Sequence, residues 1–436
     1  MSDPTHRRAS PRDIVAAVLG NGLDWYDVTV YGYVASIISR QFFPSDWEWG
    51  AVLSTYAIFA VSFIVRPVGG VIIGRYADIV GRRAMMMWVI ALMTTGTALI
   101  TFVPVYATIG WAAPAIIVVV RVLQGLAASG EFGTATTFLV EHAPHGSRGF
   151  YGGWQLSGQG GAILLAGLVA TLVPHLVTPE QQLSWGWRIP FLIGLLVGPV
   201  GIYIRVRSSD TPEFLNSRPI PGATRQGPLA MLFTDCKYRM LLALGLVIGG
   251  TAAFYVLFIF MPTYALNVLK LGPEASFVGP AVAGFTVMVG CPLTGMLSDR
   301  TGRKPLLVMA AIALIVVLYA SFAWLQAAPS LTRLATIEFL FGVIMSVYAG
   351  PFSAGISELF PVAVRVTAIS TAYNVGVAVF GGLSPLVVAS LISGTGSPLA
   401  PAYYVTGCMV ISLAAALAMP AAIPRHAVPH RARRRR

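Results

Sequence analysis

Gly74-Arg-Tyr-Ala-Asp78-Ile-Val-Gly81-Arg82-Arg83 and Gly295-Met-Leu-Ser-Asp299-Arg-Thr-Gly302-Arg303-Lys304 are one decapeptide pattern written twice. Glycine, aspartate, glycine and arginine recur in it, each pair 221 residues apart. A second echo follows, with Glu141, Pro144 and Arg148 answered by Glu358, Pro361 and Arg365, each 217 residues on. Every copy sits after a long apolar run. The chain therefore reads as two equivalent halves, duplicated in parallel about an axis along a membrane normal. In such a loop Gly74 allows close helix contact and Gly81 a tight turn. Asp78 can accept hydrogen bonds at a neighbouring helix N-terminus, while Arg82 and Arg83 pair with acids or lipid phosphates. A tight turn bearing positive charge explains the arginines. The repeated Gly/Asp frame fits a conformational latch between the halves better, and Asp299, Arg303, Glu141, Arg148, Glu358 and Arg365 join it as gating candidates.

Working outward, the 436 residues are 56% hydrophobic and 11% charged, with a mean hydropathy of +0.74. Soluble domains are about one-quarter charged, so too little polar surface is present to coat a globule. A soluble enzyme, a disordered scaffold and a fibrous protein are excluded. Apolar runs lie near 14–38, 49–76, 85–104, 112–138, 150–173, 187–206, 239–267, 276–297, 305–326, 332–357, 366–392 and 402–424. At about 20 residues per crossing, these predict an all-α polytopic membrane protein of twelve transmembrane helices in two six-helix bundles. The expected organisation is an N-terminal tail (1–13), a first bundle (14–206), a central loop (207–238), a second bundle (239–424) and a basic C-terminal tail (425–436).

The formal net charge is +12. If both termini are cytoplasmic, 23 of the 29 Lys and Arg residues fall on that side, and the six others (Arg40, Arg66, Arg121, Arg188, Lys270, Arg333) are external or inside runs. The asymmetry fixes the orientation as both termini in. The charge is thus a topological signal, with nucleic acid a remote alternative partner. Arg431-Ala-Arg433-Arg-Arg-Arg436 reads as a tail on anionic lipid. Three separated cysteines and six histidines outside the runs indicate no disulfide framework, metal site or cofactor.

The twice-repeated loop resembles the signature of the major facilitator superfamily, its first copy departing from the pattern at Ile79. Other segments are similar to the metabolite:proton symporter family. They are Gly20-Asn21-Gly-Leu-Asp24-Trp-Tyr-Asp27, Arg121-Val-Leu-Gln124-Gly125 to Gly130-Glu131-Phe-Gly133, Glu141-His-Ala-Pro144, Trp187-Arg188-Ile-Pro190-Phe191 and Asp210-Thr-Pro-Glu-Phe214. Ala372-Tyr-Asn374 and Phe380-Gly-Gly382 to Pro385 make the second half most similar to citrate–proton symporters. The resemblance implies alternating access, a bacterial inner (plasma) membrane, a proton as coupling ion with no cofactor, and function as a monomer. Asp24 stands where relatives commonly carry Glu.

Ionisable residues at bilayer depth cost free energy and are functional suspects. Gly20, Asp24, Asp27 and Tyr31 share one helical face by their spacing. Two neighbouring carboxylates in a low dielectric repel, so Asp24 and Asp27 are the proton-coupling candidates. Structural pairing or capping stands beside that reading for each. Arg121 lies at a similar depth to Asp27 and offers a planar fork to a carboxylate. It reads as a substrate anchor or as the proton-dependent partner of Asp27, with a permanent salt bridge as the structural alternative. Asn21, Gln155, Gln159, Tyr373 and Asn374 add uncharged polar groups to the substrate-binding set, or serve as helix–helix glue. Glu131 and Arg66 read as gate residues. Glu338 and Arg333, near the outer end of the tenth run, are expected to snorkel to the interface.

The expected function is import of a small organic acid, citrate or a related di- or tricarboxylate, by proton symport. Shikimate-like acids and zwitterionic osmolytes of the proline/betaine type are the alternatives, and a non-translocating sensor is the rival class. No nucleophile–base or metal constellation marks an enzyme.

Overall fold

The structure, a computed structural model, describes residues 11–43, 48–70, 82–141, 143–144, 146–195, 236–361 and 364–420. Among these residues the chain is helical with no strand. The membrane helices are α1 (Pro11–Tyr33, continued as Ala35–Phe42), α2 (Gly50–Gly70), α3 (Arg82–Phe102), α4 (Ala112–Glu141) and α5 (Arg148–Leu176). A sixth helix, α6, is described over residues 189–195. The second half comprises α7 (Lys237–Ile259, prolonged by Met261–Asn267), α8 (Pro273–Thr301), α9 (Arg303–Ala327), α10 (Leu331–Glu358), α11 (Arg365–Thr395) and α12 (Ala400–Ala418). Nine helices among the described residues are long and apolar enough to cross a membrane. At 29 residues, α5 and α8 each span roughly 43 Å, so they tilt or project beyond a core of about 30 Å.

Several helices are less regular than the apolar runs suggest. The first run breaks at Val34 and resumes to Phe42, and the fourth has a turn at Ser129-Gly130 between its two segments. Helices α7 and α11 contain π-helical stretches, Tyr255–Ile259 and Ala378–Gly382. Each ends three residues before a proline, Pro262 or Pro385. A proline ring clashes with the carbonyl four residues back and supplies no N–H, which widens the preceding turn.

The halves meet along two seams, α5 against α8 and α2 against α11, which exchange places when the halves are interchanged. The α5/α8 seam is the most extensive helix–helix contact among the described residues. Gly149, Gly153, Gly160 and Gly167 line the α5 side. A methyl group at Gly160 would lie 2.5 Å from the Met288 amide nitrogen and 2.8 Å from the Gly284 carbonyl, so the backbones touch with no side chain between them. Ser157 Oγ donates to the Met288 carbonyl (2.6 Å) within the same seam.

The end bearing Arg148, Arg303, Lys304 and Arg365 is the basic end. There Lys304 Nζ donates to the carbonyls of Leu417 (2.6 Å) and Met419 (2.8 Å), tying the start of α9 to the end of α12. Towards the opposite end, Tyr56 Oη and Thr263 Oγ1 hydrogen-bond at 2.7 Å, and Tyr33 packs on Phe277 at 5.7 Å between ring centroids. Trp25 meets Phe254 (5.2 Å) deeper in. These contacts join one half to the other.

Gly160→Leu is expected to overpack the seam and lower stability by about 1–3 kcal/mol. Gly161→Leu is the control, because a methyl there meets only the Met288 side chain at 3.5 Å. Thermal unfolding of the two purified variants checks this, and equal melting temperatures would count against the backbone seam.

Candidate functional site

Asp27 and Arg121 are both buried, at 8% and 1% exposure, but they do not touch. A three-bond relay joins them. Arg121 Nη1 donates to Gln124 Oε1 (3.0 Å), Gln124 Nε2 donates to Thr97 Oγ1 (3.5 Å), and Thr97 Oγ1 donates to Asp27 Oδ2 in a short contact. Thus α4, α3 and α1 are connected by polar side chains in a low-dielectric interior. Each donor points from the cation towards the carboxylate, the polarity expected of an ionised Asp27. Thr97 has a second acceptor within reach, the Met93 carbonyl at 3.0 Å. A protonated Asp27 would donate to Thr97, whose single hydroxyl hydrogen would then turn to Met93. One hydroxyl rotation at Thr97 would therefore accompany protonation of Asp27.

The rest of Arg121 is the more telling part. Its guanidinium carbon lies 3.6 Å from the centroid of Tyr31, while Nε and Nη2 are buried with no hydrogen-bond partner among the described residues. Those two nitrogens form one edge of the fork, the edge that binds a carboxylate bidentately. A buried guanidinium with a bare edge is costly unless something fills it.

Other bare polar atoms surround it. Arg66, at 6% exposure, lies over Phe63 (4.2 Å), has an unpartnered Nε, and is close enough to Arg121, Tyr255 and Tyr373 to interact electrostatically. Gln159 lies beside the Tyr373 hydroxyl, and its Nε2 is unpartnered. One turn earlier, both side-chain polar atoms of Gln155 are bare, as is the Tyr255 hydroxyl in the π segment of α7. Native interiors leave few buried polar groups unpaired, so this concentration requires a ligand, water or a second conformation. Arg66, expected at a gate, belongs with this central cluster. Thr97, Tyr31 and Tyr255 join it although their residue types give no warning at bilayer depth.

Other expected ligands are already engaged. Asn21 Nδ2 donates to the Gln155 carbonyl (2.9 Å), holding α1 to α5. Asn374 Nδ2 donates to the Ser129 carbonyl (2.7 Å) at the α4 turn, and Tyr373 stacks on Phe132 with ring centroids 3.5 Å apart. Those contacts cross between the halves. Asp24 is partly buried, with Oδ2 unpartnered among the described residues. Glu131 begins the second segment of α4. The expected snorkelling of Glu338 is overturned, because it is 0% exposed. Its side of α10 faces protein rather than lipid or water, since Gly279 and Leu334 crowd it. Arg333 is tied back by Nη1 to the Trp324 carbonyl (2.7 Å) and lies over that indole.

At the basic end the second copy of the repeated loop makes contacts with the other half. Asp299 accepts from the backbone amides of Gly149 (2.8 Å) and Phe150 (3.0 Å), so a carboxylate of α8 caps the N-terminus of α5. Arg303 pairs with both Asp299 (2.8 Å) and Glu358 (3.1 Å), and Arg365 pairs with Glu141 across the halves (2.7 Å). Arg148 is exposed, and the amides following it make the latch contacts. Gly74, Asp78 and Gly81 of the first copy lie outside the described residues, as do the side chains of Arg82 and Arg83. Among the described residues the halves are thus in contact at both ends.

Two pseudo-equivalent helix bundles that meet at both ends around a buried polar centre have the architecture of a membrane transporter. The chain matches the family model of the Major Facilitator Superfamily over residues 17–385, and it belongs to that superfamily. It is 34% identical to a citrate-proton symporter of Salmonella typhi over 94% of each chain. To a proline/betaine transporter of Salmonella typhimurium it is 31% identical, over 93% of this chain and 82% of the relative. Among solved structures, a D-xylose-proton symporter superposes with a TM-score of 0.75 at 19% identity, covering 94% of this chain and 96% of the other. Like these relatives, the protein is a transporter and not an enzyme.

The Glu141–Arg365 pair, mostly shielded from solvent, should show a coupling of about 1 kcal/mol in a double-mutant cycle of Glu141→Ala and Arg365→Ala. Thermal stability of the four proteins measures it, and strictly additive losses would deny the pair its role as a clasp.

Proposed function

We propose that the protein is a proton-coupled symporter that carries a small organic acid, citrate or a related di- or tricarboxylate, across a bacterial inner membrane. Both termini face the cytoplasm, because the basic end carries the arginine-rich loops. The carrying observation is the bare Nε/Nη2 edge of buried Arg121, a geometry that suits one carboxylate. Arg66 beside it supplies a second guanidinium for a second carboxylate, and the glutamines and tyrosines offer donors to hydroxyl or further carboxyl oxygens. Similarity to the citrate-proton symporter supports this reading. Similarity to proline/betaine transporters keeps zwitterions as the second reading, which one carboxylate on Arg121 would satisfy and which leaves Arg66 without a purpose.

Coupling follows from charge. With Asp27 ionised, Arg121 is balanced through the relay and has less need of an external anion. A proton on Asp27 removes that negative charge and turns Thr97 towards Met93, leaving Arg121 to the substrate carboxylate. The substrate then favours the protonated carrier, and by linkage the proton favours the loaded one. The neutralised centre lets the halves rock about the α5/α8 and α2/α11 seams. Asp24, on the same face of α1, is the second carboxylate of the pair and tunes this protonation. Asn21 positions Gln155, and Asn374 and Tyr373 hold the inner closure that substrate release must break. Glu131 and the first loop copy (Gly74, Asp78, Gly81, Arg82, Arg83) form the gate equivalent to the Asp299 latch. The carrier works as a monomer, and its basic tail rests on anionic lipid.

Counterflow in proteoliposomes against labelled citrate, succinate, shikimate and betaine tests the substrate class. Exchange of betaine without any acid would overturn the anion reading. Arg121→Lys keeps the charge but loses the fork, and should weaken acid binding by about 10- to 100-fold. Wild-type affinity would make Arg121 a purely structural cation. Thr97→Val and Asp27→Asn should each retain counterflow while losing accumulation driven by an imposed pH gradient. Unchanged accumulation in both would remove the relay from coupling.

A further inference from the structure

Glu338 is the buried acid that this cycle does not use. It lies in α10, seven residues from the start of the helix at the end opposite the basic loops. Its exposure is 0%, and neither carboxyl oxygen has a hydrogen-bond partner among the described residues. The hydroxyl of Tyr33, from α1 in the other half, is equally buried and bare, and lies within electrostatic reach of Glu338. The ring of Tyr33 packs on Phe277 of α8, and a methyl at Gly279 of the same helix would lie 3.1 Å from Glu338 Cγ. The acid therefore sits in a joint where α1 of one half closes against α8 and α10 of the other.

Among the described residues, the other elements around α10 bring no cation to it. Arg333, on the same helix, is held to the Trp324 carbonyl, and Lys270, between α7 and α8, is exposed. Arg148, Arg300, Arg303 and Lys304 of α5, α8 and α9 lie at the basic end. Tyr33 is the titratable side chain that faces it. A carboxylate in this joint would be a buried charge with neither donor nor counter-ion among the described residues, which is strongly unfavourable. The joint when shut accommodates the neutral acid. Once Tyr33 withdraws with α1, water reaches the carboxyl and the ionised form becomes affordable. Glu338 lies on the other half from Asp27, and its oxygens contact no member of the relay.

We propose that Glu338 is a second proton-binding site, which takes a proton from the outer aqueous phase when the joint at Tyr33 and Phe277 closes and returns it to that phase when the joint opens. Closure at that end is thereby linked to external proton concentration independently of Asp27. The inference rests on the two-ended closure and not on which solute is carried, so a failed substrate assignment leaves it standing.

Two measurements on the full-length protein in lipid vesicles without substrate test it. The first is infrared difference spectroscopy between about pH 5 and 8, a range over which an ordinary glutamate is ionised almost throughout. A protonated-carboxyl C=O band should persist towards the upper end, vanish in Glu338→Gln and shift in Tyr33→Phe. The same band in Glu338→Gln, or no such band in the parent, overturns the proposal. The second is alkylation of Ser276→Cys, a residue 0% exposed beside Phe277, by an impermeant maleimide. Its rate is normalised to Gly394→Cys in the exposed last turn of α11. Labelling should rise with pH, by up to about tenfold per unit for one coupled proton, and become flat and low in Glu338→Gln. Glu338→Leu, apolar and free of any folding demand for a donor, should be equally flat. An unchanged pH slope in both variants refutes the linkage.

Discussion

A guanidinium that cannot shed its proton, held at 1% exposure between α1 and α4, is the constraint around which the centre is arranged. In lipid, such a charge must be met by the protein itself. Arg121 is met in three ways: by the face of Tyr31, by the amide of Gln124, and through Thr97 by the charge of Asp27. None of these is a direct ion pair. A direct pair would neutralise Arg121 permanently and leave it indifferent to protons and solute alike. Placing two neutral side chains between the charges keeps them coupled but adjustable.

The closure at the basic end is less symmetric than the sequence repeat. Glu141 and Glu358 occupy equivalent places, yet Glu141 reaches across to Arg365 whereas Glu358 stays within its half on Arg303. Arg303 is shared between Glu358 and Asp299, so the carboxylate capping α5 is itself held in position. The clasp on α5 therefore uses backbone amides, which every sequence has, and a fixed acid. The clasp on α11 uses a side-chain pair that water and salt can weaken.

The general plan was legible because its signals are expensive or repeated. Low charge content, the two copies of the loop and the sorting of arginines led to a duplicated membrane bundle, and rare charges at bilayer depth drew attention to Asp27 and Arg121. Thr97 was not legible, since threonine in a membrane helix usually bonds its own preceding turn, as Thr101 does here. Glu338 was misread for a related reason. Distance from a helix end gives depth, but only the packing of α1 and α8 around α10 tells whether that depth faces lipid or protein. The breaks in α7 and α11 carried a signal in Pro262 and Pro385, though a proline alone does not say whether a helix will kink, end or widen.

Those widened turns have a mechanical consequence. A π segment carries one residue more than the α-helical turn it replaces, and tightening it would rotate the chain beyond by about 100° and advance it by 1.5 Å. Tyr255 lies in one such segment, and the other, in α11, follows closely on Tyr373 and Asn374. The second half thus holds two swivels at the level of the buried arginines. Tightening either one turns an aromatic or polar side chain towards or away from a bound molecule and carries the far end of the same helix round with it.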